Sequence, residues 1–278
     1  MKKSRIILIA IVFTLSCLLP LLQGEAKSHN VPKATAKKQD RSPVKDFYHT
    51  LSKRRSNNRA DYPHLSDLEF ANFRAVTTTG MGKDKLYRSS SPVNPWGNRN
   101  LIADKAARAA GIKTFINLAD TEEKLRNYKG FTGSYYNSKK IILFGLNWKY
   151  QSDEFSQKLA RGLRLMAHSQ TPFLVHCDMG KDRAGFVCAI LECLMGASAD
   201  EVTADYLVSF YNYFGIKPNT DEYLLVANNE IRPFLARAFG VKDISKVNLS
   251  TAAKRYLLNI GVPVNDIAVL SRKLGPIP

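Results

Sequence analysis

The sequence is poor in cysteine, in acidic residues and in long apolar runs. Four of its 278 residues are cysteine, at positions 17, 177, 188 and 193. Cys17 falls in the N-terminal leader, and an odd set of three within one short stretch is not a disulfide framework. No cluster of His, Cys, Asp and Glu has metal-ligand spacing, and no glycine motif of the P-loop NTPase or Rossmann kind is present. Neither a metal nor a cofactor is therefore expected. There is no internal repeat. Asp and Glu number 24 against 41 Lys and Arg, a net charge of +17. The one long apolar run, residues 6–19, has fourteen residues, short of the roughly 20 that a spanning helix needs.

What is there begins with that run. Lys2, Lys3 and Arg5 precede it, and Gly24 and Ala26 supply small residues for a cleavage site. Residues 1–26 are expected to be a secretory signal peptide, so the protein is expected to be exported, periplasmic or secreted, or membrane-anchored if the signal is retained. Residues 27–60 carry ten Lys or Arg against two Asp. They read as a basic flexible linker suited to an acidic surface such as anionic lipid or an envelope polymer. Aromatic residues do not alternate with these charges, so no nucleic-acid partner is expected.

Residues 61–278 are expected to form the remaining, catalytic domain. Strand patterns at 85–89, 112–118, 140–146 and 173–175 alternate with helical patterns near 103–110 and 155–168, an order that predicts a parallel α/β sheet flanked by helices. Helices are predicted over 200–213, 220–239, 252–260 and 264–274, giving a helical C-terminal part.

The stretch 171–196 organises the chain. Phe173-Leu174-Val175 reads as a buried strand, and residues 186–195 as an apolar helix. Between them lies His176-Cys177-Asp178-Met179-Gly180-Lys181-Asp182-Arg183. A strand turning tightly into a helix aims several backbone N–H groups into one concavity at the positive end of the helix dipole, which suits a phosphate dianion. That setting, with a cation near, favours the thiolate of a cysteine placed there. Arg183 offers a planar fork of donors for phosphate oxygens, and Gly180 permits a turn that a Cβ would hinder. The pattern points to attack of sulfur on phosphorus, with the loop from Asp178 to Arg183 binding phosphate.

The segment HCDMGKDRAG resembles the HCxxGxxR signature of the cysteine-dependent tyrosine and dual-specificity phosphatases, and is most similar to their bacterial tyrosine-phosphatase-like branch. Tyr87-Arg88-Ser89 and the closing residues 257–275 resemble segments of the same branch. The resemblance implies a nucleophile at Cys177, phosphate binding by Arg183, a supporting role for His176 and a phosphatase-like fold. Similar enzymes place an acid on a loop before the helix that precedes the nucleophile strand, which puts Asp153 first, with Asp120 and Asp182 as alternatives. Asp153 equally suits a helix cap. Many relatives carry Ser or Thr after the arginine; Ala184 here implies slower breakdown of the phosphocysteine. The expected substrate is a phosphorylated protein; a phosphoinositide or inositol phosphate is the alternative, which Lys181 would favour, and a catalytically weak phosphate-binding module is the third reading.

Overall fold

A computed structural model describes residues 43–277. The expected signal peptide and the first part of the basic arm lie outside these residues. The second part of the arm is not all linker: helix α1 spans Pro43–Lys53, and Leu51 is buried against the main core. Phe47 and Tyr48 pack on the same core, four and three residues before Leu51, the spacing of one helix face.

A short helix α2 (Asp67–Phe70) follows, closed by a capping box between Ser66 and Glu69. Strands β1 (Arg74–Ala75) and β2 (Leu86–Ser89) lead to helix α3 (Asn100–Ala109) and strand β3 (Thr114–Asn117). Helix α4 (Glu122–Arg126), strand β4 (Lys140–Leu143), helix α5 (Asp153–Ala167) and strand β5 (Phe173–His176) come next. Helix α6 (Asp182–Met195) leaves the phosphate-loop sequence, and α7 (Ala199–Phe214), α8 (Asp221–Asn229), α9 (Ile231–Phe239), α10 (Leu249–Asn259) and α11 (Val264–Leu274) complete the chain. The single helix expected over 220–239 is two helices. Pro233 lies in the first turn of α9, where its missing N–H and fixed φ are tolerated, and the chain breaks at Glu230.

The sheet order is β1-β2-β5-β3-β4, parallel except for the edge strand β1. Side chains alternate across it. Leu86, Ile116, Phe173 and Val175 face the core built on α5 and α6, while Tyr87, Phe115 and Leu174 face the core built on α3. Each large apolar side chain buried in this way contributes roughly 1.5–3 kcal/mol. Helix α6 is apolar all round and buried over nearly its whole length, as a central helix must be. Register matters most for the site. Ser89, His176 and Asn117 are aligned partners at the carboxyl ends of β2, β5 and β3. The loop after β5 therefore leaves from the middle of the sheet, at the edge where open α/β sheets gather ligands.

Candidate active site

The loop from Cys177 to Lys181 has its carbonyls turned into the scaffold. The Met179 carbonyl accepts from Asn72 Nδ2 (3.1 Å) and Tyr213 Oη (2.9 Å). Arg88 Nη2 donates to the carbonyls of Gly180 (2.9 Å) and Lys181 (3.1 Å), and the amide of Ser91 donates to Asp178 O (3.0 Å). In a trans peptide plane the N–H points opposite to the C=O. Pulling these carbonyls outward turns the following amides inward, a geometry that suits an anion. Gly180 adopts φ +68°, and a Cβ there would stand 2.0 Å from the carbonyl oxygen of Ser89. Only glycine brings the loop so close to β2.

Arg88 is fully buried and is the main support of this loop. It also binds Asp205 (2.5 Å), which Arg74 holds from the other side (2.8 Å). The charges of Arg74 and Arg88 and their hydrogen bonds outweigh the effect of burial and bring the Asp205 carboxyl down to about 2. From sequence Arg88 was only part of a resembling triplet. Its role depends on contacts more than ninety residues away, which no local pattern reveals.

His176 is fully buried behind the cysteine. Burial lowers its pKa to about 4, against the pull of the Asp120 charge, so the ring is neutral near pH 7. Its partners fix the tautomer. Asn117 Nδ2 donates to Tyr136 Oη (3.0 Å), leaving the Tyr136 hydroxyl to donate to His176 Nε2 (3.0 Å). Nδ1–H then faces the Cys177 carbonyl at 3.3 Å. Asn117 also binds Asp120, which receives further bonds from Tyr128 Oη (2.8 Å) and Lys124 Nζ (2.9 Å). Burial pushes the Asp120 carboxyl up, but these donors more than offset it and hold the group below the ordinary carboxylate range. Asp120 is a buried anion that anchors a network, not a carboxylic acid.

Cys177 lines a cavity of about 370 Å³ together with Asn94, Trp96, Trp148, Asp178, Met179, Asp182 and Arg183. The sulfur sits deep, with the residue 1% exposed. Arg183 Nη2 donates to Asp178 (2.6 Å) and Nη1 to the Leu146 carbonyl (3.1 Å), and its guanidinium lies 4.6 Å over the Trp148 ring. Asp178 also accepts from Asn94 Nδ2 (2.9 Å). Lys181 pairs with Asp182 and lies on the Phe210 ring at 4.3 Å, so its charge is directed to a neighbour rather than to the cavity. Ala184 is fully buried in α6.

The fold does not bring Asp153 to this cavity. Ser152, not Asp153, caps α5, accepting from the amide of Phe155 (3.1 Å). Asp153 is the exposed first residue of that helix. The loop before the cap reaches the cavity through Trp148 instead, and the carboxylates that line it are Asp178 and Asp182. Trp96 and Trp148 were not singled out from sequence, because neither lies near the loop in the chain. Cys188 and Cys193 are buried in α6, where burial pushes both thiols well above their ordinary range. Among the described residues no group of three or more His, Cys, Asp or Glu is placed to hold a metal ion. Nor is any described helix long and apolar enough to cross a membrane.

A parallel sheet that delivers a cysteine into a nest of amides, with an arginine on the first turn of the next helix, defines a cysteine-dependent phosphatase scaffold. The chain belongs to the tyrosine phosphatase family, whose profile matches residues 70–252. It is similar to the triple specificity protein phosphatase PtpB of Mycobacterium tuberculosis, with 39% identity over 70 residues covering 22% of this chain. That match spans 25% of the length of PtpB. Among solved structures it is similar to the core catalytic domain of the PP-IP phosphatase SIW14 from S. cerevisiae in complex with citrate. The two align at TM-score 0.36 and 19% identity over 61% of this chain and 91% of that one. A second structure of the Siw14 catalytic core aligns at TM-score 0.33 and 19% identity over 57% and 91%.

Proposed function

We propose that the protein hydrolyses phosphate monoesters, of the phosphotyrosine or dual-specificity type, through a cysteinyl-phosphate intermediate. The observation that carries this reading is that Cys177 and Arg183 line one cavity, beside a loop whose carbonyls are held outward. The Cys177 thiolate attacks phosphorus in line with the ester oxygen, the S–P bond forms and the P–O bond breaks. Arg183 Nε, buried and without a protein partner, and the loop amides bind the equatorial oxygens as charge spreads over them. Asp182 donates the proton that the leaving oxygen takes. It lines the cavity and, among the described residues, pairs with Lys181 alone, whereas Asp178 is bound to both Arg183 and Asn94. Water then attacks phosphorus, Asp182 takes up its proton, and the thiolate leaves with inorganic phosphate released.

The test is an assay of wild type and Cys177→Ser on an aryl phosphate, on phosphopeptides and on phosphoinositides, with rapid-quench trapping of the phosphoenzyme. The variant is expected to lose at least about a thousandfold in kcat and to trap no phosphocysteine. A wild type inert on every substrate would overturn the reading.

Export is part of the same proposal. The charged n-region, apolar run and small-residue site at residues 2–26 support it, and sequencing the N-terminus of the protein recovered outside the cytoplasm tests it. The basic charge of residues 27–60 supports attachment of the exported enzyme to an acidic surface.

A further inference from the structure

The chain has two tryptophans, Trp96 and Trp148, and both line the Cys177 cavity. Each is about half exposed, and each carries a guanidinium on its ring. On Trp148 it is Arg183, the loop's own arginine. On Trp96 it is Arg55, at 4.0 Å from the ring centroid. Arg55 lies outside the family-matched span, which begins at residue 70, and follows directly from helix α1.

Arg55 is held in place by its neighbours. Asn57 Nδ2 donates to the Trp96 carbonyl (3.0 Å), Asn98 Nδ2 donates to the Asn57 carbonyl (3.2 Å), and the amide of Ser56 donates to Tyr62 Oη (2.8 Å). These bonds clamp the residues after α1 onto the turn that carries Trp96. Arg54, one residue earlier, is bound to Glu222. Among the described residues no carboxylate pairs with Arg55, and its Nη1 is enclosed without a hydrogen-bond partner.

We propose that Arg55 is a specificity-determining residue that binds a second phosphoryl group, on the same small-molecule substrate whose first phosphoryl group lies over Cys177. A guanidinium laid flat on an indole keeps its N–H edge free, and that edge matches two phosphate oxygens. Stacking holds it at low entropic cost. The cavity volume of about 370 Å³ lies in the range of small-molecule sites; Arg55 does not line it but adjoins it through Trp96, which does. The inference rests on the phosphatase reading and adds to it the chemistry of the substrate beyond the scissile group.

The test compares wild type, Arg55→Ala and Arg55→Lys on p-nitrophenyl phosphate, an inositol monophosphate and inositol bisphosphates. Arg55→Ala is expected to lose at least about tenfold more kcat/KM on a bisphosphate than on the monophosphates, through KM. Arg55→Lys is expected to recover part of that loss, because it keeps the charge. Equal losses on one and two phosphates, or a lysine variant no better than alanine, would overturn the proposal and leave the phosphatase reading standing. A wild type inert on all three would overturn the phosphatase reading instead. Calorimetry on Cys177→Ser then decides the matter for Arg55. Tighter binding of the bisphosphate than of the monophosphate, lost in the Arg55→Ala double variant, supports the site, and equal affinities overturn it.

Discussion

At the scale of single residues, the assignment of the proton donor turns on which carboxylate meets the cavity. Asp153 and Asp182 both begin a helix. Only Asp182 lines the space in front of Cys177. Asp182→Asn is expected to lower kcat by about 10²- to 10⁴-fold on an alkyl phosphate, and by much less on p-nitrophenyl phosphate, whose leaving group needs no proton. Asp153→Asn is expected to change either rate by less than about twofold. A leaving-group dependence that appears in the Asp153 variant and not in the Asp182 variant would reverse the assignment. The strand-to-helix turn that carries Cys177, Gly180 and Arg183 was legible in the sequence because its residues are neighbours in the chain and such a turn is a local event. Which residue of the loop from 144 to 152 enters the cavity was not, because no local pattern sets it. That choice is made by packing, here by Trp148 against Arg183 and by Ser152 taking the cap.

At the scale of elements, the phosphate loop has its shape because β2 and α7 hold it from behind. Arg88 from β2 grips two loop carbonyls, and Tyr213 from α7 grips a third. Gly185 lets α6 approach this support: a Cβ there would lie 2.6 Å from the Tyr206 ring and 2.8 Å from Arg88 Nη2. Arg88→Met keeps much of the side-chain volume but strands two buried carbonyls and half of the Asp205 pairing. The expected cost is about 3–5 kcal/mol in denaturant unfolding, accompanied by loss of turnover even where the protein remains folded. A change below about 1 kcal/mol with full activity would show that the loop holds its shape unaided. Strands β2 to β5 and most of the helices were legible from periodicity, and the parallel order from their alternation, whereas α1 and β1 were not. The division of the 220–239 helix was signalled by Pro233, whereas the cross-element grip of Arg88 carries no periodicity at all.

At the scale of the whole molecule, two buried groups tilt stability in opposite directions with pH. His176 is held neutral, with a folded pKa near 4 against an ordinary 6.5. Between those values the unfolded chain binds the extra proton, so stability falls as pH drops through that window. Glu192, fully buried in α6, behaves in the other sense. Burial and the nearby Asp205 charge push its pKa well above the ordinary range, against the opposing pull of Arg88 and Arg74. Below about pH 4.5 both states keep its proton. Above that the unfolded chain ionises while the folded one stays protonated, so stability falls as pH rises, by at most about 1.4 kcal/mol per unit. Glutamine keeps the shape and removes the titration. The gap in unfolding free energy between Glu192→Gln and wild type is therefore expected to be small at pH 5 and to widen in favour of glutamine by pH 8. His176 titrates alike in both proteins and cancels from the difference. A gap that is flat between these two values would show that Glu192 ionises within the fold, and Arg88 and Arg74 would then be its counter-ions as well as those of Asp205.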